Sequence, residues 1–205
     1  DINPILRYIL VYLIISIFRA PKSAKAYQKV WTKEGSPLLI YTEKLSKKIA
    51  KQFENCQVEF AMRYGNPSIE SVMEKFVHSS TEQLLVIPLY PQYASSSTGS
   101  SLEEVYRVAS KFQSVPSIKI MPPFYQHPEY ISSWCELIKS DLNVNHSLES
   151  GKTSDKDTHF IFSYHGLPER HLKKQEGQES YCLKSNNCCS QICKSNHLCY
   201  RAHCM

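Results

Sequence analysis

The sequence predicts an α/β protein, a Rossmann-like parallel sheet flanked by helices, and three observations carry that reading. The run Leu84-Leu85-Val86-Ile87-Pro88-Leu89 is continuously apolar, the pattern of a strand buried on both faces of a parallel sheet. Short apolar runs alternate with segments of helical periodicity along the chain, as βα units require. The unusual residues come just after those runs, where open α/β sheets bind ligands.

Taken in order, the elements begin with an apolar run, Ile5 to Phe18, broken by Arg7 and followed by Arg19, Lys22 and Lys25. It is shorter than the roughly 20 residues a membrane-spanning helix needs. It also lacks a charged leader and a small-residue cleavage site, so a secretory signal is not expected. The reading is a buried helix or pocket wall, with a helix lying on a membrane surface as the alternative. Ser36-Pro37 opens a helix with Leu38, Tyr41, Leu45, Ile49 and Phe53 at steps of three and four. Gln57 to Met62 reads as a short strand, and Asn66-Pro67 starts a helix with Ile69, Val72, Met73 and Phe76 on one face.

After the Leu84–Leu89 strand, a loop of small hydroxyl residues, Ala94 to Ser100, leads to Ser101 and Glu104. Their spacing is that of a capping box before a helix carrying Leu102, Val105, Val108 and Phe112. Ile118 to Ile120 is a strand, and Pro128 opens a helix with Ile131, Trp134, Leu137 and Ile138. The polar stretch 143–157 reads as a linker and Thr158 to Tyr164 as another strand. Residues 1–142 are thus expected to form a first α/β domain and 158–205 the start of a second half. No internal repeat is present.

With 205 residues, 42% hydrophobic and 21% charged, the chain has a globular composition, which excludes disordered, collagen-like and coiled-coil architectures. The 24 Lys and Arg exceed the 19 Asp and Glu by only five, without a basic cluster, so no nucleic-acid partner is expected. Arg63-Tyr64-Gly65, Tyr90-Pro91-Gln92-Tyr93, Phe124-Tyr125-Gln126-His127 and His165-Gly166-Leu167-Pro168 each follow an expected strand, so four loops should converge on one rim. Its tyrosines, phenylalanine and histidines suit a large flat aromatic ligand better than a phosphate or a sugar.

Two segments are specific enough to name a family. Pro88-Leu-Tyr-Pro-Gln-Tyr-Ala-Ser-Ser-Ser-Thr-Gly-Ser100 and Phe162-Ser-Tyr-His-Gly-Leu-Pro-Glu-Arg170 both resemble ferrochelatase. Ala20 to Tyr27, Glu34 to Leu38 and Met62 to Pro67 are similar to further blocks of that family. The resemblance implies a chelatase-like fold and an enzyme, a lyase that inserts Fe²⁺ into protoporphyrin IX to form protohaem in haem biosynthesis. It also implies a partial chain, lacking the family's first strand and its C-terminal half-domain. Another tetrapyrrole chelatase, or a non-catalytic remnant that binds porphyrin or metal, is the alternative.

Metal insertion needs a slot that grips the macrocycle, a ligand that delivers the ion and a base that removes two pyrrole protons. An imidazole, with an ordinary pKa of about 6.5, can serve as both ligand and base. The resemblance puts His165 in that role, as catalytic residue and Fe²⁺ ligand; otherwise it merely caps a strand end by hydrogen bonding. His127 lies near a second active-site histidine of the family, against the alternative of an exposed histidine before a helix. Arg19, Tyr27 and Ser36 match porphyrin-contacting positions. So do Tyr90, Tyr93, Ser97 and Thr98, whose alternative is a hydroxyl loop that only caps its helix.

Six of the eight cysteines lie between Cys182 and Cys204, where a disulfide scaffold would distribute them. Five of these, Cys182, Cys188, Cys189, Cys193 and Cys199, fall in an apparent insertion, residues 173–199. Thiolates in one short loop can ligate an iron–sulfur cluster or zinc, or remain free buried thiols. The segment resembles the internal four-cysteine [2Fe-2S] version of the family, which would take four of the five, with His197 and His203 able to substitute for a thiolate. Reduced thiols fit the cytoplasm, and a hydrophobic substrate with the apolar run near Ile5 suggests peripheral contact with the inner membrane surface. Oligomeric state is not legible.

Overall fold

The computed structural model of the chain describes residues 3, 8–148, 159–173, 183–184, 187–190 and 196–205. It divides into two compact units, Asp1–Val72 and Met73–Met205.

In the first unit, α1 (Leu10–Arg19) is wound as a π-helix, a rare form in which bonds reach back five residues, and the N–H of Ala20 donates to Ile15 O. It continues into α2 (Ala20–Gln28). The apolar run was expected to be buried, yet Tyr8, Ile9, Tyr12 and Ile17 are exposed. Burying an apolar helix requires a second apolar surface, and the main neighbour of α1 is α2, its own continuation. Among the described residues no helix is long and apolar enough to cross a membrane.

A turn at Thr32–Gly35 closes with Thr32 N–H to Gly35 O at 3.0 Å and Gly35 N–H to Thr32 O at 3.1 Å. Gly35 takes φ +118°, a conformation that side chains resist. Ser36 is then extended, and Pro37 at the first position starts α3 (Pro37–Gln52), as expected. The expected strand Gln57–Met62 is instead irregular chain with one isolated parallel bridge, Met62 to Ser68. Extended chain becomes a strand only beside a partner, and here that partner is a single residue. Helix α4 (Ile69–His78) runs across the unit boundary in sequence. Ser68 Oγ accepts the N–H of Ser71 at 3.1 Å, which caps it. Val72, Met73 and Phe76, read as its apolar face, are buried.

In the second unit, β1 (Gln83–Val86) pairs with β2 (Ser117–Ile120) in parallel, with Gln83 opposite Ser117 and Val86 opposite Ile120. This parallel pair with helices between and after its strands bears out the α/β reading. The strand expected to be buried on both faces is not: Leu84 and Val86 are half-buried while Leu85 is 58% exposed. That alternation belongs to a strand covered on one face.

The expected hydroxyl loop is helical. Ser95–Gly99 forms a π-helical turn that passes directly into α5 (Ser100–Ala109). Ser101 therefore sits inside a continuous helix and cannot cap it; Glu104 instead takes both Nε and Nη2 of Arg107, at 2.8 and 2.6 Å. Val105, Val108 and Ala109 are buried. Helix α6 (Pro128–Leu148) continues through the first six residues of the stretch read as a linker. Between Asn143 and Leu148 there is neither Gly nor Pro, so nothing breaks the backbone ladder. The rest of that stretch lies outside the described residues.

The expected strand Thr158–Tyr164 is absent over its described part: residues 159–164 are exposed and in no ladder. No described strand lies beside it to complete the hydrogen bonds. Helices α7 (Glu169–Lys173) and α8 (Tyr200–Cys204) follow. Leu172 of α7, Ala202 of α8 and the thiols of Cys188, Cys189 and Cys199 form one buried cluster, with Leu183 and Tyr200 packed against it.

Candidate functional site

Helix α8, at the end of the second unit, connects motif-bearing segments. Pro91 O accepts two backbone donors, Phe124 N–H and Tyr125 N–H, each at 3.1 Å, which ties the Tyr90–Tyr93 segment to the Phe124–His127 segment. From α8, His203 reaches both. Its Nδ1 accepts the N–H of Tyr93 at 3.1 Å. Its ring stacks on Tyr125, with centroids 4.1 Å apart and planes 16° from parallel. One turn earlier on α8, Tyr200 reaches the His165 segment: its phenol meets the His165 backbone and the Cys204 thiol. Three of the four segments expected to converge are thus joined through α8. The fourth, Arg63–Gly65, belongs to the other unit, where Arg63 lies over the Tyr64 ring at 4.7 Å.

His165 itself is exposed, between Tyr164 and Gly166, and a Cβ placed on Gly166 would meet nothing within 4 Å. An imidazole so placed is open to an incoming ion. His127 is also exposed, and its Nδ1 lies 2.8 Å from Glu129 Oε2 at the start of α6. Tyr90 is exposed, Tyr93 and Ser97 are half-buried, and Thr98 is buried. Ser97 Oγ turns back onto Ala94 O at 3.4 Å. Thr98 Oγ1 has no hydrogen-bond partner, one of two such buried side-chain atoms among the described residues, so it retains its donor and acceptor. The Tyr93 hydroxyl would sit 3.2 Å from a Cβ on Gly99; only a glycine there leaves the phenol full clearance.

In the first unit, Arg19 is exposed at the end of α1 and Tyr27 is exposed, edge-on to Trp31 at 6.4 Å. Ser36 is half-buried before α3 and makes no side-chain cap bond. A cleft of about 260 Å³ lies beside it, lined by Thr32, Lys33, Tyr41 and Lys44 among others. That is smaller than the roughly 300–1,000 Å³ of ordinary ligand pockets, so it does not by itself house a macrocycle.

Of the five cysteines read as ligands, Cys182 and Cys193 lie outside the described residues. Cys188, Cys189 and Cys199 are buried together, with Cys188 Sγ 3.7 Å from Cys189 Sγ. Two thiolates on one tetrahedral ion with bonds of about 2.3 Å stand about that far apart. A backbone hydrogen bond at Leu183 holds Cys188 below the ordinary thiol range, whereas burial pushes Cys189 up to about 12. Among the described residues no group of three or more His, Cys, Asp or Glu side chains is arranged to hold a metal ion. The Cys188–Cys189 separation is thus one that a shared ion would accept, whereas the three buried thiols do not by themselves form such a group.

Sequence reading offered His203, with His197, only as a substitute for a thiolate ligand and missed that it turns inward onto Tyr93 and Tyr125. Nothing in the local spacing marks the α8 histidine as a side chain that turns inward. Burial lowers its pKa, and Nε2 lies 2.8 Å from His197 O.

The ferrochelatase family model matches residues 1–204. The chain is 42% identical, over all 205 residues, to a ferrochelatase of Coxiella burnetii strain Dugway 5J108-111, covering 54% of that protein. To a ferrochelatase of Legionella pneumophila strain Paris it is 39% identical, again along its whole length, covering 56% of the relative. It spans about half the length of the curated relatives it matches. A match that runs unbroken through the tyrosine segment, the His165 segment and the cysteine-rich segment leaves one assignment: the chain belongs to the ferrochelatase family.

Proposed function

We propose that this chain carries the porphyrin-facing part of a ferrochelatase that inserts Fe²⁺ into protoporphyrin IX, releasing two pyrrole protons and giving protohaem. The observation that carries the reading is the joining of the tyrosine segment, the Phe124–His127 segment and the His165 segment through Pro91 and α8, in a chain of this family. His165, exposed at the rim, ligates the substrate iron and accepts pyrrole protons in turn. His127, polarised by Glu129, serves as a second proton acceptor. Tyr90, Tyr93 and Ser97 face the macrocycle, with the buried Thr98 behind them in the turn that carries them. In the first unit, taken by itself, Arg19 offers a planar fork that suits a carboxylate such as a propionate, and Tyr27 and Ser36 are the positions that match porphyrin contacts of the family.

Cys188, Cys189 and Cys199, with one of Cys182 and Cys193, hold a [2Fe-2S] cluster; what supports this is the shared burial of three thiols and the 3.7 Å separation of two. Bound there, such a cluster would tie the turn at Cys188 and Cys189 to Cys199 at the start of α8. We place the protein in the cytoplasm, with the exposed apolar side chains of α1 resting on the inner membrane surface.

The test is an anaerobic Fe²⁺ insertion assay on the purified chain, following the loss of free-porphyrin fluorescence, with His165→Ala alongside. Turnover that falls at least about 100-fold in the variant while porphyrin still binds supports the assignment. Equal turnover in both overturns the role of His165. Porphyrin binding without turnover in either overturns the catalytic reading for this chain and leaves a porphyrin-binding one.

A further inference from the structure

We propose that His203 is the positioning residue of the porphyrin-facing tyrosine segment, fixing the Tyr93 backbone and the Tyr125 ring to the cysteine-rich core beneath them. The geometry assigns its tautomer. Nδ1 faces a backbone N–H, that of Tyr93 at 3.1 Å, and so must be the unprotonated acceptor. Nε2 faces a backbone oxygen, that of His197 at 2.8 Å, and so must carry the proton and donate it. Both ring nitrogens are used, the face is used on Tyr125, and the residue is 5% exposed. A ring protonated at both nitrogens could not accept from Tyr93.

What the imidazole connects gives the role its content. Tyr93 lies between Tyr90 and the Ser95–Gly99 turn, and its phenol abuts Gly99, so fixing its backbone fixes the approach to Thr98 and α5. On the other side, His203 N–H bonds to Cys199 O at 3.0 Å, and the Cys199 side chain belongs to the buried cluster with Cys188 and Cys189. Asn196, fully buried, donates from its side chain to Cys188 O at 3.0 Å and accepts from Cys199 N–H through its own backbone carbonyl. The cysteine-rich segment is thus the foundation of α8, and His203 is the arm by which α8 holds the rim.

The inference rests on the proposed porphyrin reading, and its test separates the two. In His203→Asn the amide oxygen can replace Nδ1 as acceptor for Tyr93, whereas in His203→Gln the amide nitrogen can replace Nε2 as donor to His197. Two readouts are made on the full chain: hydrogen exchange at the Tyr93 amide, and protoporphyrin affinity by fluorescence titration. In wild type, nitrogen shifts of the imidazole should show the Nε2-protonated tautomer. Relative to wild type, His203→Gln should speed Tyr93 exchange and weaken protoporphyrin binding, each by about tenfold, the effect of one lost buried hydrogen bond. His203→Asn should restore both. Equal behaviour of the two variants, or the other tautomer, overturns the assignment. If wild type binds no protoporphyrin, the porphyrin reading falls, and the ranking of the variants in Tyr93 exchange alone upholds or overturns the anchor.

Discussion

His203 and Tyr93 are 110 residues apart in sequence, yet Nδ1 of one accepts the backbone N–H of the other at 3.1 Å. Neither residue's own element explains the contact. A five-residue helix is too short to be stable alone, so α8 depends on the buried thiols and Leu172 beneath it. The architecture of the rim is therefore inherited from the cysteine-rich segment.

Ser68 caps α4 through a single side-chain acceptor. Ser68→Ala should cost about 1 kcal/mol and lower Tm by about 2–4 °C, whereas Ser68→Gly should cost only a few tenths of that energy. Thermal melts of the two variants check it; equal losses would mean that the Ser68 Oγ contact with Ser71 N–H does not support the helix.

Gly99 has helical backbone angles, φ −57° and ψ −47°, so alanine is compatible with its conformation. Helix propensity then favours Gly99→Ala by up to about 1 kcal/mol. The new Cβ would stand 3.2 Å from the Tyr93 hydroxyl, a contact relieved by a shift of a few tenths of an ångström at the end of the phenol. The propensity gain should win, raising Tm by about 2–4 °C while protoporphyrin binding weakens. Lower stability with unchanged binding would contradict the placement of Tyr93.

Burial raises the pKa of Tyr125 above its ordinary 10. Because the folded value exceeds the unfolded one, this group favours the native state below pH 10, and its contribution is lost as pH rises through the folded value. Tyrosinate absorbance should contain a late-titrating component that Tyr125→Phe removes. If that variant titrates like wild type, Tyr125 is not held in its stack on His203.

The thiol cluster makes a spectroscopic prediction. Anaerobic reconstitution with iron and sulfide should give visible charge-transfer bands that Cys189→Ser and Cys199→Ser abolish and Cys56→Ser, at an exposed position, leaves intact. Bands that survive both cluster substitutions would remove these residues from the ligand set.

The starts of α3 and α6, the core face of α4, the parallel pairing of β1 and β2 and the family itself were legible from local pattern, because propensity, proline placement and motif identity are properties of short segments. Misreadings fell where a segment's fate depends on its neighbours. Gln57–Met62 and the described part of Thr158–Tyr164 have strand-like composition but lack a partner, and Ser101 has the spacing of a cap but lies inside a helix already begun at Ser95.

By itself, then, the sequence determined the fold class, the family, and the His165, tyrosine and cysteine segments. Tertiary structure alone decided that Pro91 and α8 would join the tyrosine, Phe124–His127 and His165 segments, that Thr98 would be buried with no hydrogen-bond partner for its hydroxyl, and that His203 would turn inward. The physical reason is that a hydrogen bond spanning 110 residues, or a side chain's burial, depends on which surfaces meet after folding, and no window of local sequence contains that information.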